Sequence, residues 1–157
     1  ALPLVWLGVQ QAEVDQDAIF GRPLLVQLLI DWLRPDIPAG VPLRPNALYM
    51  AGWVGLLITG LNMLPISQLD GGHVSYAVLG KYSRWLARGL LLAAFCFVII
   101  EQYYSWTLML VLVTFLGVDH PPTANDQAHL GRGRRAAGIA SLAIPVLCFT
   151  PYPVLMG

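Results

Sequence analysis

Asn62, Pro65, Asp70 and His73 concentrate the polar chemistry of a long greasy run, since no charged residue stands between Arg44 and Asp70. An aspartate offers a hard carboxylate oxygen to a divalent cation, and an asparagine offers a donor and an acceptor to a peptide backbone. Pro65 removes an N–H and opens the helix that precedes them. Gly71 and Gly72 leave the backbone uncrowded, so that a cation can approach closely. Ordinary turn chemistry uses the same residues: the acid bonds its own backbone, and the glycines accept left-handed angles. Depth separates the two readings. An aspartate at the bilayer centre costs roughly 2.5–3.5 kcal/mol on insertion scales. Non-helical backbone at that depth is tolerated only where it lines a protein-enclosed cavity. An acid kept there points to a cavity, a partner or a metal.

The composition supports that depth. The chain has 157 residues, 57% of them hydrophobic and 11% charged, with a mean hydropathy of +0.64. Soluble domains carry about 25% charged residues. The formal net charge is zero, so no basic field exists to hold nucleic acid. Cys96 and Cys148 lie in apolar stretches without a CxxC pairing and read as inert buried thiols. The first residues, ALPLVWLGVQ, are already hydrophobic, and further sequence upstream is the expectation.

Residues 1–45 read as the end of an upstream segment, an amphipathic interfacial helix and a proline-rich loop. In IFGRPLLVQLLIDWLRP, Pro23 marks a helix start, and apolar residues at 24, 25, 28, 29, 32 and 33 make one greasy face before Pro35 stops it. About ten residues are too short to span hydrocarbon. Residues 46–157 read as a membrane helical domain. Asn46 to Ile66 is the first spanning candidate, with Gly52, Gly55 and Gly60 offering smooth patches for close helix packing, and Pro65 breaking it. A partly polar segment follows, and then Gly89 to Ile100, which spans only if Trp85 to Arg88 extend it. EQYYS makes an aromatic interfacial turn, Trp106 to Val118 returns, and residues 136–157 form a last apolar segment interrupted by Pro145, Pro151 and Pro153. The expected fold class is thus all-α: a polytopic helical membrane protein with a Gly/Pro-broken segment after the first clear span. Loops 67–88 and 119–135 carry three Lys/Arg each and the EQYYS turn none, which puts both basic loops on the cytoplasmic side. The three arginines of residues 12–45 vote separately.

Asn62-x-x-Pro65-x-x-x-Leu69-Asp70-Gly71-Gly72-His73 after a membrane-length segment resembles the second signature of the site-2 protease family, the intramembrane zinc metalloproteases. The resemblance is tight over residues 60–73 and looser over 46–118. It implies Zn²⁺ as cofactor, with Asp70 as the third metal ligand. It also implies that Asn62 orients a substrate backbone or the metal site, and that Pro65 shapes the cleft. His73 is a helix-cap or interfacial histidine, with a supporting hydrogen bond to the site as the other option. The family's other two ligands and its general base come from a His-Glu-x-x-His helix. These residues contain none: the glutamates are Glu13 and Glu101, neither after a histidine, and His120 and His129 are too far apart for one helical face. The resemblance therefore implies an upstream segment of the same protein supplying two histidines and the glutamate.

Other polar residues have simpler readings. Glu101 sits at an interfacial turn. Arg132, Arg134 and Arg135, in GRGRR, could bind acidic lipid heads but already serve as a topology signal. No chemistry attaches to His120–Thr123. The resulting expectation is the C-terminal portion of a zinc metalloendopeptidase in the lipid bilayer of a bacterial inner membrane, multi-pass, acting on a membrane-anchored protein substrate. The chain by itself is incomplete and expected to be inactive. Two other classes fit. A catalytically inactive scaffold would bind transmembrane helices through the glycines of residues 52–60. A transporter would use Asp70 as an ion site in a broken helix, and predicts inverted repeats that the sequence does not show.

Overall fold

The structure, a computed structural model, describes residues 1–15, 20–38, 41, 43–66, 69–102, 104–116 and 131–150. His120, His129, the 120–123 segment, Val118, Pro151 and Pro153 lie outside the described residues. Among those described the chain is all-helical in its regular elements, with an isolated antiparallel bridge between Val14 and Leu43. It divides into two compact units: Ala1–Leu61 with Ile144–Gly157, and Asn62–Ala143.

The first unit contains α1 (Leu2–Gln10), α2 (Leu24–Leu33), α3 (Ala47–Asn62, but for its last residue) and α8 (Ile144–Cys148). Its core is Val5, Val9, Val26, Ile30, Tyr49, Trp53 and Leu56, closed by Cys148. Helices α1 and α3 meet backbone to backbone. A β-carbon on Gly8 would strike the Tyr49 backbone, and one on Gly52 would lie 2.6 Å from the Val5 nitrogen. Gly60 packs less tightly on Cys148 and Phe149, whose atoms would lie 3.1–3.2 Å from a β-carbon there. The glycine face expected to receive a partner's helix is thus largely filled by this chain's own α1 and α8.

Asn46 fixes the start of α3. Its side-chain oxygen accepts the Tyr49 N–H at 2.8 Å, and its amide donates to the Gly8 carbonyl at 2.8 Å. One residue thereby caps α3 and ties it to α1. Asn46→Ala is expected to destabilise the protein by about 1–2 kcal/mol in a detergent denaturation titration. The Trp53 indole N–H donates to the Gly21 carbonyl at 2.7 Å, anchoring the chain just before α2.

Helix α2 has the expected start, length and stop, and half of the expected face, Leu25, Leu29 and Leu33, packs on the core. Val26 and Ile30 are buried, whereas Leu24, Leu28 and Trp32 are exposed. Exposed Gln27 and Asp31 share the outer side with Leu24, Leu28 and Trp32, so the packed stripe is rotated from the one the spacing suggested. After α2, Arg34 holds Asp36 in a fork of hydrogen bonds of 3.0–3.3 Å and also donates to the Ala12 carbonyl. These bonds lower the Asp36 pKa from its ordinary value. The pair's contribution is therefore present above the unfolded carboxylate range and fades as pH falls through the folded value. Both groups sit at the surface, so Asp36→Asn should barely change stability at neutral pH, while circular dichroism should show a slightly flatter acid limb below about pH 4.

The second unit contains α4 (Asp70–Leu79), a 3₁₀ turn (Gly80–Tyr82), α5 (Ser83–Ile100), a second 3₁₀ turn (Tyr104–Trp106), α6 (Thr107–Leu116) and α7 (Arg132–Ser141). The segment expected to be partly polar linker is therefore mostly helix, and the Arg132–Arg135 stretch opens α7 rather than ending a loop. Helices α5 and α6 form a hairpin around Leu91, Val98, Leu110 and Val113. Its outer faces are apolar as well: Leu92, Ile99, Leu108, Leu112 and Phe115 are all exposed. Helix α7 packs on α4 where Gly138 meets Val74 and Val78.

Among the described residues one helical stretch, Asp70–Ile100, is long and apolar enough to cross a membrane. Helix α3 has 16 residues, short of the span expected from Asn46 to Ile66. The reason is Pro65: its ring would clash with the carbonyl four residues back, and it disfavours helical angles at Leu64, so the helix stops at Asn62.

Candidate metal-ligand site

The signature is built around a tight reversal. After α3 ends at Asn62, Met63–Ile66 turn, with the Ile66 N–H donating to the Leu64 carbonyl at 2.7 Å. Pro65 and Ile66 are buried. Leu69, in extended conformation, then starts α4, and its carbonyl accepts the N–H groups of Gly72 at 2.9 Å and His73 at 3.2 Å. Asp70 is the first residue of α4. Asp-Gly-Gly is thus the opening turn of a helix, and neither Gly71 nor Gly72 has positive φ.

Gly71 is required for space. A β-carbon there would overlap the Met63 carbonyl and lie 2.5 Å from the Leu64 oxygen. What the missing side chain admits is this chain's own backbone. The consequence is positional: the turn just after Asn62 and the residue just after Asp70 are pressed together, so the two ends of the signature meet. Gly72 is buried behind them, and the Ser75 hydroxyl, 1% exposed, donates to its carbonyl at 2.9 Å. This lock and the Met63–Gly71 contact were missed in the sequence, where the only hint was that both glycines follow a proline turn.

Asp70 itself is exposed, and the α4 N-terminus has no side-chain cap hydrogen bond. Among the described residues its carboxylate makes neither hydrogen bond nor ion pair. The turn-capping role is therefore not the one it plays. The helix dipole favours a carboxylate at this position. Asn62 is exposed at the C-terminal end of α3, and His73 is exposed one turn into α4. Among the described residues no three His, Cys, Asp or Glu side chains gather to hold a metal ion. The residues present thus fit one leg of a metal site: an uncommitted carboxylate on a tightly packed turn of backbone.

Residues 44–101 match the model of peptidase family M50. That is the site-2 protease family, and the matched stretch contains Asn62, Pro65, Leu69 to Gly72 and His73, so the resemblance read from those residues is shown by an independent comparison. Curated relatives agree. The chain is 31% identical over 146 residues, 89% of its length, to a protein of Oryza sativa subsp. indica named probable zinc metalloprotease EGY2, chloroplastic. The Arabidopsis thaliana protein of the same name is 27% identical over 92% of the chain. The protein of Oryza sativa subsp. japonica named probable zinc metalloprotease EGY1, chloroplastic, is 32% identical over 72%. The chain spans only 26%, 25% and 19% of the lengths of these three relatives. No solved structure matches it.

Proposed function

We propose that the chain is the C-terminal portion of a membrane-embedded zinc metalloprotease that hydrolyses peptide bonds of membrane-anchored proteins, with Asp70 as one zinc ligand. The observation that carries this reading is the Asp70 carboxylate: exposed, without a protein partner among the described residues, and held by backbone packing within the stretch matched to M50. The zinc in the relatives' names supports the choice of metal. An upstream segment of the same protein supplies the two histidines and the glutamate base. A zinc ion held by that set supplies Lewis acidity toward a peptide carbonyl and the attacking water. Asn62 contributes a donor and an acceptor to an extended substrate backbone beside Asp70. Pro65, buried in the reversal, stops α3 so that this backbone has somewhere to lie.

The apolar outer faces of α5 and α6 support a multi-pass membrane placement, because a water-facing hairpin would not leave Leu92, Ile99, Leu108 and Phe115 uncovered. The bacterial inner membrane is the proposed compartment; the plastid belongs to the relatives' names. The test is the full-length protein. It should purify with stoichiometric zinc, and Asp70→Ala should lose both metal and cleavage. A zinc-free wild type, or a variant with metal and cleavage intact, would overturn the proposal.

A further inference from the structure

Two groups of cations in the second unit stand where the fold's own electrostatics opposes them. Arg84 lies in the first turn of α5, and Arg132, Arg134 and Arg135 lie in the first turn of α7. Neither turn contains an acid. The α7 N-terminus carries partial positive charge, so its three arginines are disfavoured there; α5 continues the helical stretch begun at Asp70, and Arg84 is opposed only by its like-charged neighbours. Arg84 with Arg88 and Arg132 with Arg135 are also like-charge neighbours on one helical face, which adds repulsion. All five arginines are exposed, and among the described residues Arg84, Arg132, Arg134 and Arg135 join no ion pair. Nothing described inside the protein compensates these four.

The surroundings on α5 say what does. Tyr82 is 64% exposed and Trp85 70% exposed. Lys81 lies over the Tyr82 ring at 5.6 Å and Arg88 over the Trp85 ring at 5.8 Å. From Gly89 onward the helix carries no charge, and Leu92, Ile99 and Ile100 are exposed. That uncharged stretch, Gly89 to Ile100, measures about 18 Å and enters the hydrocarbon from its Arg88 end. Along one helical stretch cations and amphipathic rings alternate over residues 81–88, and uncovered aliphatics follow, as interfacial and hydrocarbon chemistry follow one another in a bilayer. An acidic protein surface would satisfy the arginines but leave that aliphatic face in water.

We propose that the N-terminal ends of α5 and α7 form an anchor for anionic phospholipid, with headgroup phosphates meeting Lys81, Arg84, Arg88 and the three α7 arginines, and Tyr82 and Trp85 seated among the α5 cations. The topology count from the sequence puts both groups on one side of the membrane. The anchor rests on the membrane-embedding part of the reading above and is independent of any metal at Asp70. Each cation near an anionic leaflet should strengthen the interaction roughly five-fold.

The test reconstitutes the full-length protein into vesicles of phosphatidylcholine alone, or of equimolar phosphatidylcholine and phosphatidylglycerol. Release into neutral detergent then allows co-retained lipid to be counted by mass spectrometry. Flotation with phosphatidylcholine vesicles reads the embedding separately, and failure to float would overturn the membrane reading and the anchor together. The expected result is flotation with both, and retention of phosphatidylglycerol over phosphatidylcholine by at least about ten-fold. The triple variants K81Q/R84Q/R88Q and R132Q/R134Q/R135Q should each lose most of that preference. Equal retention of the two lipids, or a preference untouched in both variants, would overturn the anchor while leaving the embedding intact. Full competition by millimolar inorganic phosphate would also overturn it, by making the site one for the free ion. If the variants fail to fold, salt decides: wild-type preference should fall several-fold between roughly 0.05 and 0.5 M salt, and an unchanged preference would sink the proposal.

Discussion

Gly71→Ala is expected to cost the protein about 3 kcal/mol or more, the upper end of overpacking penalties. The added methyl would fall on the Met63 carbonyl and within 2.5 Å of the Leu64 oxygen, and neither group is a flexible side-chain tip that can swing aside. Either the reversal opens or the head of α4 is displaced. Both outcomes move Asp70 away from Asn62. In full-length protein, zinc content and cleavage should fall together with the unfolding midpoint. The control is Gly89→Ala. That glycine lies within α5 with no atom within 4 Å of an added β-carbon, so the replacement should stabilise by up to about 1 kcal/mol. If the two alanine variants melted alike, the tight reversal would not be the element that holds the site.

Asp70→Asn should do the opposite: leave the fold and remove the chemistry. The carboxylate is exposed and makes no hydrogen bond among the described residues, so stability can lose only its favourable position at the helix start, less than about 1 kcal/mol. A neutral amide is a poor ligand for zinc. Loss of a residue that only supports a ligand already costs 10–100-fold, so loss of a ligand should lower cleavage by at least about 100-fold. The pair of measurements that checks this is an unfolding titration beside a cleavage assay. A large fall in both would make Asp70 structural. A fall in neither would take it out of the reaction.

Much of this was legible from residue types. Pro23 and Pro35 bracket α2 as the sequence suggests, and the all-helical class follows from long apolar runs without strand alternation. Pro65 was rightly a break, but its reach was underestimated, because its ring and the restriction on Leu64 end α3 at Asn62 rather than at the proline. Residues 67–88 were hardest to read. Asp-Gly-Gly-His has the composition of a turn, and its helical state is supplied by α5 and α7 rather than by propensity. The same blindness applies to α2, where Leu24, Leu28 and Trp32 differ from Val26 and Ile30 only in which neighbours reach them. The family signature singles out Asp70 as the proposed ligand, because coordination chemistry constrains residue identity and spacing. The Met63–Gly71 contact left no such trace, since a backbone carbonyl is the same whatever side chain it carries.

The seating of α4 on α7 has a consequence for how the molecule assembles. A ten-residue helix is too short to persist alone in water, and α4 leans through Val74 and Val78 on Gly138. Asp70 leaves the ribosome some 68 residues before that glycine does, a separation at which ring closure is slow and cannot begin until the later segment exists. The nascent signature is therefore an unfinished object throughout most of its own synthesis. A truncation just short of residue 138 should leave the carboxylate made but unmoored.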